Sequence, residues 1–427
     1  MRFRLILLAL ASLPYLYALF RLSLLEKKRQ EPLPEEVADV YTKERWEKFV
    51  AYKKDLKAPF LVSQLTAFLL DAAVILSPFY AWMEHLANGN PYGAVIATSV
   101  ILMVVSLICE LPVSYYRTFT IENRYELNHR TQREFFREQL TEFLAGTVLN
   151  TALYLLLAFI LLHLSSWTNG FQIPMVQAAL IMAGIAAVIV LFLFLASYIS
   201  WRIMRFQYKF TPLEDGALKQ DILKLLEGSR KKVKRIEVYN ESAKSTSKNA
   251  FVLKLPFFRS IGIADNFLAE NSHRELLAVL AHEAGHLKHK PNIWNILNYI
   301  LLGVLYGLLV AALVNGTVFV QWEHALEQVF GLTVCNAVAT FAVLSWLSQP
   351  LLFAISVYRN YVSRQEEKEA DRNAVKEGYG EELIQTFKQL SSDELVDVNP
   401  PQLVEFLEFD HPGMTNRIRA IHHAMHA

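Results

Sequence analysis

Seven segments of this chain, near residues 4–25, 59–84, 93–116, 143–165, 174–200, 293–318 and 334–357, are long and apolar enough to cross about 30 Å of hydrocarbon. No other feature limits the available folds as strongly. Backbone inside lipid must satisfy its own hydrogen bonds, so these runs predict a mainly α, multi-pass membrane protein. Composition agrees: 53% of residues are hydrophobic and only 19% are charged, below the quarter usual for a soluble domain. The first run has the outline of a signal peptide, but Tyr15, Tyr17 and Phe20 stand where a cleavage site wants small residues. It reads as a retained helix.

The connectors supply an independent test. The stretch from Arg21 to Lys57 carries ten Lys or Arg, His85 to Tyr92 none, and Arg117 to Arg137 five arginines. Ser165 to Pro174 has none, 201–291 is strongly basic, Val318 to Asn336 has none, and the tail from Arg359 is basic again. This alternation fits seven spans. It puts the N-terminus outside and the loops 201–291 and 358–427 in the cytoplasm, in a bacterial inner membrane or an endoplasmic reticulum. The expected division is spans 1–5 in 1–200, a catalytic portion in 201–291, spans 6 and 7 in 292–358, and a second catalytic portion in 359–427. A net charge of +1 offers no field to attract nucleic acid. Cys109 and Cys335 both lie in apolar segments, which argues against a disulfide framework. Asp71, Glu110 and His163 lie inside spans, where each needs a polar partner or a water-filled interior.

The basic loops look structured. Residues 212–228 place Leu218, Ile222, Leu225 and Leu226 on one helical face. Residues 235–240, 250–255 and 260–265 alternate as short strands. Ser272 and Glu275 then form a capping box ahead of LLAVLA. A helix starting there carries His282 and His286 one turn apart on one face, in the motif HEAGH. Two imidazoles at that spacing converge on one Zn²⁺ and leave room for a third ligand and water. Zinc would activate that water and polarise a scissile carbonyl, with Glu283 as general base. Against this stands a coincidental match on an ordinary surface helix. Gly285 costs the helix roughly 1 kcal/mol but permits close approach of another backbone.

A third ligand must come from elsewhere. In SRQEEKEAD (363–371), Glu367 and Asp371 lie one turn apart, so Glu367 suits the metal while Asp371 accepts the other ring N–H of His282. Glu366 and Glu369 compete on spacing alone, and a solvated acidic face is the bland alternative.

Together with the seven spans, several motifs resemble the type I CAAX prenyl proteases, seven-span zinc enzymes with an intramembrane cavity. HEAGH (282–286) and Arg364, Glu367, Ala370 and Asp371 match the family's zinc motifs. Residues 111–131, FTPLEDG (210–216), Asn249 to Phe251 and DHPGMTNRI (410–418) are also similar to family motifs. The resemblance implies His282, His286 and Glu367 as ligands of one Zn²⁺, Glu283 as base, and Asp371, Arg364 and Arg417 as supporting groups. It further implies His411 near the oxyanion, Arg417 orienting groups around the site, and Asn249, Ala250 and Phe251 on an edge strand that holds the peptide. By itself DHPG reads as a turn and His411 as structural. Two positions depart from the pattern: Glu126 where Gly is expected, and Ser247–Lys248 in place of His–Ser.

The function expected is a membrane zinc endopeptidase acting on peptide or protein substrates, with prenylated C-terminal peptides implied by resemblance. A quality-control membrane metalloprotease is the alternative within enzymes. A site-two-type protease fits poorly, because its HExxH lies within a span. A transporter or scaffold lacking catalysis is supported only by Asp71, Glu110 and His163.

Overall fold

The computed structural model describes residues 2–167, 175–227, 233–255, 258–288, 297, 316–332 and 337–426. Among them six helices are long and apolar enough to span a membrane: Arg2–Lys28, Lys43–Leu76, Pro91–Glu122, Gln132–His163, Ala186–Gln207 and Val338–Lys376. The expected sixth segment, 293–318, lies almost wholly outside the described residues. Few side chains in these apolar windows are buried, from 0% in Ala186–Gln207 to 33% in Val338–Lys376. Most side chains in these windows therefore lie at the surface of the described residues.

One predicted span breaks. Residues 59–84 read as continuous, but the helix Lys57–Leu76 ends before Ser77 and a separate helix covers Phe79–Leu86. Pro78 is the cause: it clashes with a helical residue before it, and Ser77 is extended at φ −92°, ψ 169°. Other helices overrun their apolar segments. Gln132–Trp167 runs for 36 residues and Ala337–Lys376 for 40, so each carries a span and a charged extension outside it. The second of these matters most, because its extension bears the acidic motif.

Two packed regions result. One gathers Leu7, Ile75, Tyr80, Val95, Leu161, Phe330 and Trp346 at one end of the bundle. The other is the core formed by the loops 201–291 and 358–427, which also draws in Val37, Phe49, Tyr52, Ile121 and Tyr125 from the segments that flank the second and third spans. The membrane part and the catalytic part thus share apolar surface.

A four-stranded sheet lies in that portion, in the order β1 (Phe210–Pro212), β2 (Arg235–Tyr239), β4 (Phe258–Ala264), β3 (Ala250–Leu255). Strand β2 runs parallel to β4, with Ile236 opposite Ile261, and the other two pairs are antiparallel. Strand β1 was not expected. Its three residues are too few for an alternating pattern to show. The helix expected over 212–228 is shorter, Ala217–Leu225, and buries Ile222 and Leu225.

Both departures from the family pattern have local explanations. Glu126 sits at φ 62°, in the left-handed region that suits glycine, so the turn keeps its shape with a strained residue. Lys48 pairs with its carboxylate at 2.8 Å. Lys248 binds Glu270 and Asp393, each at 2.8 Å, while the Ser247 hydroxyl donates to Glu394 at 2.8 Å. This pair clamps the sheet to the end of the helix Gly380–Asp393.

The three ionisable residues inside spans each find a polar partner. Ser63 donates to Glu110 at 2.8 Å, Asp71 faces the Trp346 side chain, and His163 Nδ1 lies 2.9 Å from its own helix at the Phe159 carbonyl.

Candidate metal centre

The motif helix spans His273–Lys288. Its capping box is reciprocal: Ser272 N donates to the Glu275 carboxylate at 2.7 Å, and Glu275 N to the Ser272 hydroxyl at 3.3 Å. That closes orphan donors at the helix start. Leu276 to Ala281 are buried in the catalytic core, which fixes the helix rotation and turns His282 and His286 toward the helix Ala337–Lys376.

The two helices meet at Gly285. A Cβ there would come 2.8 Å from Ala370 Cα and 3.0 Å from Asn373 Cβ, so only glycine permits this approach. Asn373 adds a hydrogen bond from its amide to the Ala281 carbonyl, at 2.7 Å. Asn373 lies six residues beyond Glu367, and nothing in the sequence marks it except the small residue it faces.

Crossing at that point brings Glu367 between the histidines. Its Oε1 lies 3.1 Å from His286 Nε2 and its Oε2 3.4 Å from His282 Nε2. Donor atoms of the three residues all lie within 4.8 Å of one another, the only such grouping among the described residues. Two imidazoles and a carboxylate fit a transition-metal ion that keeps one open position. Glu366 and Glu369, the competing acids, are not part of this grouping.

A buried layer of charge fixes the ligands. Asp371 Oδ1 lies 2.8 Å from His282 Nδ1, which leaves Nε2 facing Glu367. Arg417 grips Asp371 with both arms of its guanidinium, Nε to Oδ2 and Nη2 to Oδ1, each at 2.9 Å. The same guanidinium lies 4.0 Å from the centre of the Phe387 ring. Burial disfavours the charge on Arg417, but the Asp371 and Glu367 carboxylates outweigh it and raise its pKa.

Burial likewise opposes charging His282, yet hydrogen bonds to Asp371 and Glu367 prevail and push its pKa up to about 8. In the metal-free protein this charge stabilises the fold fully below the unfolded value near 6.5, and that contribution fades as pH rises through about 8. A metal needs the neutral ring, so its dependence has the opposite sign. Apparent Zn²⁺ affinity is expected to fall about tenfold per unit as pH drops below 8. Competition with a chromogenic chelator across about pH 6 to 9 would measure this; a flat profile would contradict the assignment of His282 as a ligand.

The remaining expected residues fall at different distances from the ligands. Glu283 is half-buried beside His282, with no hydrogen bond or ion pair to a described residue. His411 Nε2 lies 3.4 Å from Glu367 Oε1, while its Nδ1 lies 2.9 Å from the Asp410 carboxylate. Arg364 does not reach the ligands. It is buried one turn before Glu367 and donates to the carbonyls of Glu405, Phe406 and Phe409, bracing the chain that leads to His411. Ala250 and Phe251 open β3, an edge strand that packs beside the motif helix. The Asn249 carbonyl accepts from Ala264 N at 2.9 Å.

Comparison with known proteins adds a separate line. Residues 22–200 match the family model described as CAAX prenyl protease N-terminal, five membrane helices. Residues 212–425 match that of peptidase family M48. A CAAX prenyl protease 1 homolog of Arabidopsis thaliana is 26% identical over 406 residues, covering 91% of this chain and 90% of the relative. A probable CAAX prenyl protease 1 of Schizosaccharomyces pombe is 28% identical over 353 residues, covering 80% and 70%. The fold is similar to the crystal structure of S. mikatae Ste24p, with a TM-score of 0.75 at 23% identity over 99% of both chains.

Proposed function

We propose, from the premise that this chain belongs to peptidase family M48 and is an integral membrane metalloendopeptidase, that it uses one Zn²⁺ to cut peptides near their C-termini, prenylated ones preferred. The observation that carries this reading is the convergence of His282, His286 and Glu367 beside Glu283, which makes no hydrogen bond or close ion pair with a described residue. Zinc, when held by His282, His286 and Glu367, supplies a Lewis acid for the scissile carbonyl. Glu283 takes the proton of the attacking water on its carboxylate and passes it to the leaving amine. Its place on the helix next to the first ligand puts it within reach of both.

Asp371 and Arg417 hold the His282 ring in one tautomer, with Nε2 presented to the site. His411 faces the same Glu367 from the opposite chain segment and donates toward the charge that develops on the carbonyl oxygen. The substrate backbone pairs with the free edge of β3 at Asn249, Ala250 and Phe251, which presents its peptide bonds in extended form. Arg364 acts at one remove, by positioning the His411 loop. The charge alternation supports an N-terminus outside and a cytoplasmic site. Preference for prenylated C-termini is supported by the names of the relatives in Arabidopsis thaliana and Schizosaccharomyces pombe.

The test is a cleavage assay on paired peptides, identical except for the prenyl group, with product masses and zinc content measured on the same preparation. One zinc per chain and faster cleavage of the prenylated peptide are expected. Equal cleavage of both would replace this reading with a general membrane protease, and a zinc-free preparation that still cleaves would remove the metal from the mechanism.

A further inference from the structure

A cavity of about 470 Å³ opens where the first three spans meet the catalytic portion. Leu22, Leu25, Phe60 and Val113 give it apolar walls, and five cations line it: Arg21, Arg29, Lys53, Lys57 and Arg117. Its size is that of a site for one small molecule or a few residues of peptide.

The charges are not evenly paired. Arg21 binds Glu408, Arg29 binds Asp397, Lys57 binds Glu26 and Arg117 binds Glu122, at 2.7 to 3.0 Å. Lys53 alone has no carboxylate partner among the described residues. Its ammonium rests over Tyr52 and Phe49 instead, 5.1 and 5.6 Å from the ring centres. The lining acids are Asp397, already engaged by Arg29, and Glu110, bound by Ser63. Glu110 lies seven residues before Arg117 on one continuous helical run, roughly 10 Å along its axis. Glu110 is therefore set back from Arg117 along that helix.

One wall of the cavity leads to the metal centre. Phe409 lines the cavity, its carbonyl is held by Arg364, and His411 follows two residues later against Glu367. Two residues span at most about 7 Å, a distance that a few extended residues of substrate cover. A peptide bond at the metal centre is thus within reach of a chain terminus in the cavity.

We propose that this cavity is the subsite for the free C-terminal α-carboxylate of the peptide, with Lys53 as the cation that receives it and the apolar walls covering the last side chains. The assignment rests on the C-terminal peptidase reading above. It makes the enzyme measure its cut from the end of the substrate, since a carboxylate occurs once per unmodified chain terminus. Binding the anion supplies the partner that Lys53 lacks.

The test uses the full-length protein, zinc-loaded, with two peptides of one sequence that end in a carboxylate or a carboxamide. Wild type is expected to favour the acid in kcat/KM by about tenfold or more. Lys53→Met should abolish that preference, and Lys53→Arg should retain it. Equal cleavage of acid and amide by wild type would overturn the subsite and leave the peptidase reading standing. Loss of both substrates alike in Lys53→Met, unrestored by Lys53→Arg, would also overturn it, because that is the behaviour of a structural residue. Comparison of phosphatidylcholine vesicles with and without phosphatidylglycerol separates the remaining source of anions: dependence of Lys53 effects on the anionic lipid, with no acid preference, would reassign the cavity to a headgroup. Failure of zinc-loaded wild type to cut either peptide would remove both readings together.

Discussion

Replacing Glu283 with Gln is expected to leave zinc bound and to lower kcat by about 10²–10⁴-fold. The expectation comes from what Glu283 does not touch. It makes no hydrogen bond or ion pair with a described residue, so the amide orphans no buried group. Gln keeps the shape of the side chain and its helix propensity. The three candidate ligands keep their positions, since Asp371, Arg417 and Gly285 hold them by direct contacts, to which the Glu283 charge adds only its field at Arg417. What disappears is a basic oxygen next to the first ligand. Zinc content measured beside peptide cleavage on one preparation checks this directly. Full activity in the variant would assign proton transfer to another group, with His411, beside Glu367, a candidate.

The second large effect concerns stability. Arg417→Leu is expected to destabilise the protein by about 3–5 kcal/mol, because it strands buried Asp371 without its bidentate partner. Asp371 would then lose its fixed orientation toward His282 Nδ1, and zinc affinity should fall by about 10–100-fold. Arg417→Lys separates charge from geometry. It keeps a cation but not the planar fork, so it should recover only part of the loss. Thermal unfolding with and without a chelator, together with zinc competition, measures both consequences. An unchanged midpoint and unchanged affinity in Arg417→Leu would show that Asp371 is held by His282 alone.

Much of the site was legible because its signals are local. A capping box, an apolar run and two histidines four residues apart all act within one helix, and helix geometry is the same wherever it occurs. Gly285 hinted at a close crossing before its partner was known. The acidic motif was harder. Spacing alone left Glu366, Glu367 and Glu369 in competition, since each lies on the same short stretch. Only the crossing at Ala370 and Asn373 turns Glu367 between the two imidazoles.

The roles of other residues depended on contacts across the chain. Arg364 lies in the motif next to a ligand, yet its guanidinium serves carbonyls about 40 residues away. Lys53 stands in a basic connector like several other lysines, and nothing nearby in sequence marks it as lacking a partner. Ser247 and Lys248 depart from the expected pair, and the structure gives them a clamp on the helix Gly380–Asp393.

The sequence by itself determined the membrane class and the motif helix. Hydrocarbon thickness and helix periodicity act on consecutive residues, so their consequences can be read along the chain. Even there a single proline, Pro78, ended one span early. Tertiary structure alone decided which acid converges on the two histidines, how Arg417 and Asp371 hold His282, and that the first three spans line a cationic cavity beside the His411 loop. Those outcomes turn on helix crossings between segments tens to hundreds of residues apart. Their energy comes from packing and from pairing buried charge, and neither leaves a period in the sequence.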